Sequence, residues 1–408
     1  MPKIRYGVSP WVDGVAARSR PSFPPFSGDL ELPVAIVGGG LAGVVTAYAF
    51  AAAGVKVVLI EADRIGAGAT GRSAGLILAD AEGDFLAHET GHGRRAARAL
   101  WQATRRAALD FAATVRRLNL RCRLEPAEAV VHTRDRDELR RLKRESQARR
   151  DAGLDGTWLS QRALAALRLE GEGGIRTRGH ARLDPYRACL GFARAAVERG
   201  GDIFERTAVR RVLARSKHVE LVTARGSIRC GTVVLATAEP SAGFGALRRH
   251  FTTTETYAVL TPPLPAAVRR SAPGSSIIVQ DRQQPPHRLA WTPDGRVLWT
   301  GADQPRTPER GRGKVLVQRG GQLMYELSLI VPAISGIQAE YVWDVPSTRT
   351  LDGLPFIGPH RNYPRHLFAL GLGASLTGAF LAARILLRHY EGQPDSGDEN
   401  FGFARLAR

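Results

Sequence analysis

The stretch VAIVGGGLAGVV, residues 34–45, decides the fold. Val34 to Val37 are β-branched or small and read as a buried strand, which stops at Gly38, Gly39 and Gly40. Four glycines fall in the six positions 38–43, and the apolar run Leu41 to Ala53, rich in small residues, reads as a helix packed closely on that strand. Glycine permits the tight turn and leaves no Cβ between backbone and ligand, while the start of a helix presents free N–H groups and a partial positive charge. The spacing Gly38-x-Gly40-x-x-Gly43 is therefore that of a pyrophosphate seat. Gly54 ends the helix, and Val55 to Ile60 reads as a second strand closing on Glu61. A carboxylate there accepts hydrogen bonds from both hydroxyls of a ribose and repels a 2′-phosphate, so the expected ligand is an unphosphorylated adenine dinucleotide, NAD or FAD.

A chain of 408 residues has room for a large core and for two or three domains. Residues 34–55 carry no charge and are long enough for a membrane span, but their five glycines and the dinucleotide context assign them to a buried strand and helix. The first thirty residues hold Lys3, Arg5, Asp13, Arg18 and Arg20 among prolines and lack the apolar core of a signal peptide, so a cytoplasmic protein is expected. Cys122, Cys189 and Cys230 form no CxxC pair, which indicates neither a disulfide framework nor a zinc site. A formal charge of +19 would suit a polyanion. Only five of the 58 basic residues are lysines, however, and the densest basic run, Arg140 to Arg150, is interleaved with Glu145 and flanked by Asp137, Glu138 and Asp151, as on a solvated helix face. Nucleic acid is not the expected partner.

Beyond the second strand, a loop of glycine and small residues (62–75) precedes an arginine-rich amphipathic helix near 94–118 and a charged helix near 135–150. Residues 183–201 read as a further helix, with Asp184 at the N-cap, Pro185 in the first turn and Gly200 and Gly201 at the end. Strand-like runs follow to residue 237, and from 246 to 344 short runs separated by Pro, Gly and Asp suit an antiparallel sheet. Residues 367–387 repeat the opening plan of strand, glycine turn and apolar helix, so a second helix N-terminus is expected to face the ligand. His88-Glu89-Thr90-Gly91-His92 matches the HExxH zinc pattern, but Gly91 and Gly93 weaken the helix that the spacing requires, and no metal is expected.

IVGGGLAG and LIEADRIGAGATGRSAG, within residues 31–75 and preceded by RPSFPPFSGDLE, resemble the D-amino-acid oxidase superfamily of FAD enzymes, most of all its gamma-glutamylputrescine oxidase type. The resemblance continues in order through LDPYR (183–187), VVLAT (233–237), HRLAWTPDGRVLWTG (287–301) and TRTLDGLPFIGP (348–359). It implies an α/β fold, α+β overall. A discontinuous Rossmann-like FAD-binding domain takes 28–100, 180–245 and 345–408; a substrate domain with an antiparallel β-sheet takes 101–179 and 246–344; residues 1–27 are an N-terminal extension. By position, Gly38, Gly40, Leu41, Ala42 and Gly43 lie along the pyrophosphate, Glu61 and Ala62 at the adenosine ribose, and Val209 meets adenine through its backbone. The loop Thr70, Arg72, Ser73, Ala74 and Gly75 passes the pyrophosphate to the flavin ring, and Gly371, Gly373, Ala374, Ser375, Leu376 and Thr377 form the second turn, at the ribityl chain and flavin pyrimidine. GLGASLTG is one residue shorter than the GLGASGLT-like turn of the superfamily. Val345 and Arg72 stand where relatives with a covalently held flavin use cysteine or histidine, which implies noncovalent FAD.

The same resemblance bears on the substrate. Amino-acid and glycine oxidases of the superfamily place an arginine five residues before the Asp-Gly of DGLP, where a guanidinium pairs both oxygens of an α-carboxylate; here that place is Ser347. Trp343 and Thr350 match the gamma-glutamylputrescine type, and Arg349 is either a second candidate for a carboxylate or a structural arginine. An amine is therefore expected over a free α-amino acid. Arg288 is the nearest match to the lysine that assists oxygen in sarcosine-oxidase relatives, and an exposed strand arginine is the alternative. The reaction implied is oxidation of an amine C–N bond, with oxygen or another acceptor taking the electrons. The competing readings are an amino-acid or glycine oxidase, a tRNA-base-modifying flavoprotein and a flavin-binding subunit without activity; an NAD-dependent dehydrogenase leaves the second glycine turn without a role. The oligomeric state is not legible.

Overall fold

The computed structural model describes residues 3–407 and shows a mixed α/β architecture built on two sheets. The eight-stranded sheet is parallel at its centre, where Gly28–Val37 lies between Val57–Ile60 and Gly226–Ala238, and Tyr363–Leu370 follows outside the latter. Its central residues are apolar on both faces, as a doubly covered parallel sheet requires. Val34 and Ile36 face the helices Leu41–Ala52, Pro185–Glu198 and Leu376–Tyr390, while Ala35 and Val58 face a second apolar cluster beneath the three-stranded meander that ends in Gly226–Ala238. The turn after the first strand is tight for a steric reason. A Cβ on Gly38 would collide with the carbonyl of Ala236, and one on Gly43 with the carbonyl of Gly38.

The ten-stranded sheet centres on antiparallel strands that include Tyr341–Thr350, Phe251–Leu260, Val297–Pro305 and Arg288–Trp291. Side chains alternate across it. Tyr257 and Val259 pack toward the helix Glu309–Ile330 through Leu316, Leu323 and Leu327; Ala258 and Leu260 face the other way, in a cluster with Trp343 and Val345. Sheet membership cuts across four of the ranges expected above, with residues 180–182 ending the strand Gly173–Arg182 of the ten-stranded sheet. Leu76–Ile77 and residues 345–350 pair within the ten-stranded sheet, and Arg5–Tyr6 adds to it as a parallel edge strand beside Tyr341–Val342.

Two local expectations fare differently. The helices Arg94–Arg117, Arg136–Asp151 and Pro185–Glu198 form where the sequence places them, the last with the Asp184 side chain accepting from the Arg187 N–H. Phe85–His92 is also helical, against the expectation that glycine would weaken it: Gly91 is accommodated in the last turn and Gly93, at φ +82°, ends the helix. His88 Nε2 lies 2.7 Å from the Glu82 carbonyl oxygen, and no group of three His, Cys, Asp or Glu placed to hold a metal occurs among the described residues. No helix among them is long and apolar enough to cross a membrane.

Candidate active site

Parallel strands end together, so their carboxyl ends and the helix that follows the first of them enclose a crevice. That crevice is a cavity of about 650 Å³. Gly38, Gly40, Leu41 and Ala42 line it at the start of the helix Leu41–Ala52, and Glu61 and Ala62 line it at the end of the second strand. Thr70, Val209 and, from the second glycine turn, Gly373, Ala374, Ser375 and Leu376 line it as well. The Glu61 carboxylate accepts from the N–H of Gly39 (2.5 Å) and of Asp63 (2.8 Å), so the acid expected at the ribose also braces the glycine turn. Thr70 Oγ1 accepts from the Leu41 N–H at 2.9 Å and ties the 62–75 loop to the same helix end. Glycines that admit no side chain, a helix N-terminus and an acid at the second strand form a donor and acceptor set that fits an adenine dinucleotide.

A second cavity, of about 390 Å³, lies against the ten-stranded sheet and shares Leu372, Ala374 and Ser375 with the first. Ala74, Gly371 and Thr377 border it, and the Thr377 hydroxyl donates to the Leu78 carbonyl at 2.8 Å. Arg288, Ser347 and Arg349 line the cavity as well. The last residues of Tyr341–Thr350 are held against the second turn by an antiparallel bridge between Arg349 and Leu372, and the Gly373 N–H donates to the Thr348 carbonyl at 2.9 Å.

Five predicted residues line neither cavity. Gly43 sits beneath the first turn, and Gly75 turns the chain against Leu183, whose N–H it accepts at 2.8 Å. Arg72 reaches Asp344 at 3.2 Å, and the Ser73 carbonyl accepts from Trp11 Nε1 at 2.8 Å. Trp343, expected to meet substrate, is fully buried and donates through Nε1 to the Arg72 carbonyl at 2.7 Å. It shares a face of its strand with Val345, Ser347 and Arg349, but the cavity ends before it and the 72–75 loop covers it. These residues hold the loop in place.

The charges of the second cavity are nearly all internally paired. Arg149 lies 2.6 Å from Glu145 and 3.2 Å from Asp80, and Arg282 contacts both Asp84 and Glu138. Arg288 donates through Nε to Gln280 at 2.9 Å; burial pushes its guanidinium down from its usual value, while Glu82 works against that shift. His180, pushed down by burial, is held neutral with Nδ1 accepting from the Ala79 N–H. The sequence reading missed Glu82, Gln280 and Asp281 on this cavity; the acid-rich run DAEGD, residues 80–84, directly after the glycine loop was the available signal.

Comparison with known proteins places these features in context. A family model described as DAO, FAD dependent oxidoreductase, matches residues 33–388. The chain is 26% identical over 377 residues to the probable oxidoreductase OrdL of Haemophilus influenzae, covering 89% of this chain and 84% of that one. It is 25% identical over 411 residues to the gamma-glutamylputrescine oxidoreductase of Escherichia coli, covering 96% and 91%. In three dimensions it is similar to the glycine oxidase of Geobacillus kaustophilus, with a TM-score of 0.76 at 20% identity, over 92% of this chain and 99% of that one.

Proposed function

Because the chain belongs to the DAO family of FAD-dependent oxidoreductases, we propose that it oxidises the C–N bond of a small amine held in the second cavity. The observation that carries this reading is the contact of the two cavities along Leu372, Ala374 and Ser375, which sets a small molecule against the inner end of the dinucleotide crevice. Gly38, Gly40, Leu41 and Ala42 would hold the pyrophosphate of FAD, Glu61 the ribose, Val209 the adenine, and Gly373 to Thr377 the flavin end. Bound FAD supplies a two-electron acceptor for the hydride on the carbon beside nitrogen, the amine proton passes to solvent, and water hydrolyses the resulting imine to a carbonyl compound and an amine.

The chain's own residues position the amine and limit the water around it. Ala74, Leu78 and Leu381 give the cavity an apolar side, and Ser347, Arg288 and Arg349 give it a polar one. Oxygen or another acceptor then takes the electrons, with the fixed charge of Arg288 favouring a developing anion nearby. The pairing of Arg149, Arg282 and Arg349 with carboxylates supports a small substrate over a polyanion.

Anaerobic addition of amines, polyamine derivatives and amino acids to the purified protein tests this reading. Bleaching of the oxidised-flavin band near 450 nm, about where flavins absorb, is the expected outcome with amines, and no bleaching by any of them sinks it. Acid precipitation should release the flavin into solution, as noncovalent binding requires; flavin remaining in the pellet would show a covalent link.

A further inference from the structure

We propose that Glu82 is a tethered stand-in for an acidic group of the substrate, held between Arg288 and Arg349 until that group displaces it. The proposal rests on the amine-oxidising reading and narrows its substrate to amines that carry a carboxylate.

The geometry separates this pair of arginines from the others in the cavity. Arg149 and Arg282 are deeply buried, with 5% and 10% of their side chains exposed, and each contacts two carboxylates on surrounding elements. Parting such pairs strands a buried charge and is costly. Arg288 and Arg349 instead converge on a single oxygen, Glu82 Oε1, at 3.9 Å and 3.0 Å. Glu82 belongs to the short loop before the helix Phe85–His92 and is 42% exposed. Arg349 is 34% exposed, and an ion pair so open to water holds weakly.

The two guanidiniums are fixed without the help of Glu82. Arg288 is tied through Nε to Gln280 on the neighbouring strand, and Arg349 through Nε to Ser347 at 3.2 Å. Their terminal N–H groups are left to face the cavity, where a guanidinium recognises a carboxylate with directed hydrogen bonds. Asp303 is the other carboxyl near both arginines; burial pushes it up from the usual carboxylate range, and opposing contributions from Arg349 and Arg288 do not restore it. Glu82 is thus the exchangeable partner. The Ser347 position that lacks the expected arginine does not leave the cavity without an anion site, because Arg349 comes from the same strand face and Arg288 from a strand that the resemblance linked to oxygen.

The test is calorimetric titration of the FAD-loaded protein with propionate and with its neutral counterpart propionamide. Glu82→Ala and Glu82→Gln should tighten propionate about tenfold, the factor expected if Glu82 leaves the site open about a tenth of the time. Propionamide binding should not change. Arg349→Gln should weaken propionate by about tenfold or more, and adding Glu82→Ala to it should restore nothing. Propionate affinity that is unchanged or weaker in both Glu82 variants overturns the proposal. Melting curves identify a variant that has lost its fold, and Glu82→Gln, which keeps the shape of the side chain, then carries the measurement. Tighter propionate binding in a protein that oxidises no amine would uphold the anion site and sink the amine reading. Turnover of amines together with a propionate affinity blind to Glu82 would do the reverse.

Discussion

His287, which the sequence reading left without a role, sits at 5% exposure with its ring stacked on Trp299 at 5.2 Å. Nδ1 is 2.8 Å from Asp281 on the cavity wall, and Nε2 is 3.2 Å from Glu326 at an angle that forms no hydrogen bond. Burial works to lower its pKa, but the Asp281 hydrogen bond and the charges of Asp281 and Glu326 prevail, and the net shift is upward. A raised folded-state value contributes stability that is full below the unfolded value of about 6.5 and is lost as pH rises through the folded value. The stability difference between the wild type and His287→Gln should therefore shrink across that window, and taking the difference cancels His132, His180 and His366, which shift downward. Urea melts at several pH values measure it; a difference that is flat with pH would refute the assignment. At this scale the sequence was legible where chemistry is local: Gly38 and Glu61 follow from spacing, and Thr70 from the resemblance that its loop carries. Trp343 was misplaced because a strand's period of two gives the face a residue occupies but not how far along it a cavity extends.

Among the elements, the strand, glycine turn and helix at 28–52 are the most legible part of the chain, since tight packing leaves few residue types that fit. Gly43→Ala should cost about 1–3 kcal/mol, as overpacking does, because its Cβ meets the Gly38 carbonyl, a backbone atom that cannot rotate away. Denaturant melts give the stability, and flavin retained per chain should fall in parallel. A Gly43→Ala protein of wild-type stability and flavin content would show that the turn has slack. The helix Phe85–His92 shows the opposite case. Its glycine suggested weakness, but Glu145 accepts from the N–H groups of Phe85 (2.8 Å) and Leu86 (3.0 Å) at its first turn. Such long-range capping, from a residue sixty positions away, leaves no trace in a local pattern.

For the whole molecule, order along the chain foretold two sheets but not how they meet. The crevice between strands from the beginning, middle and end of the chain is closed by the 62–75 loop and the second turn, so FAD bound there would tie together segments distant in sequence. Removing FAD should lower the melting temperature, and adding it back should raise it with concentration, reflecting a stabilisation of about 2.7 kcal/mol at a hundredfold excess over Kd. A melting temperature indifferent to FAD would mean that the crevice is not its seat. The cavities touch where the Arg349–Leu372 bridge joins the antiparallel sheet to the second turn. That backbone seam works as a fixed ruler: it ties the strand carrying Ser347 and Arg349 to the turn shared by both cavities through main-chain atoms, so an exchange of those side chains leaves the main-chain tie between strand and turn in place.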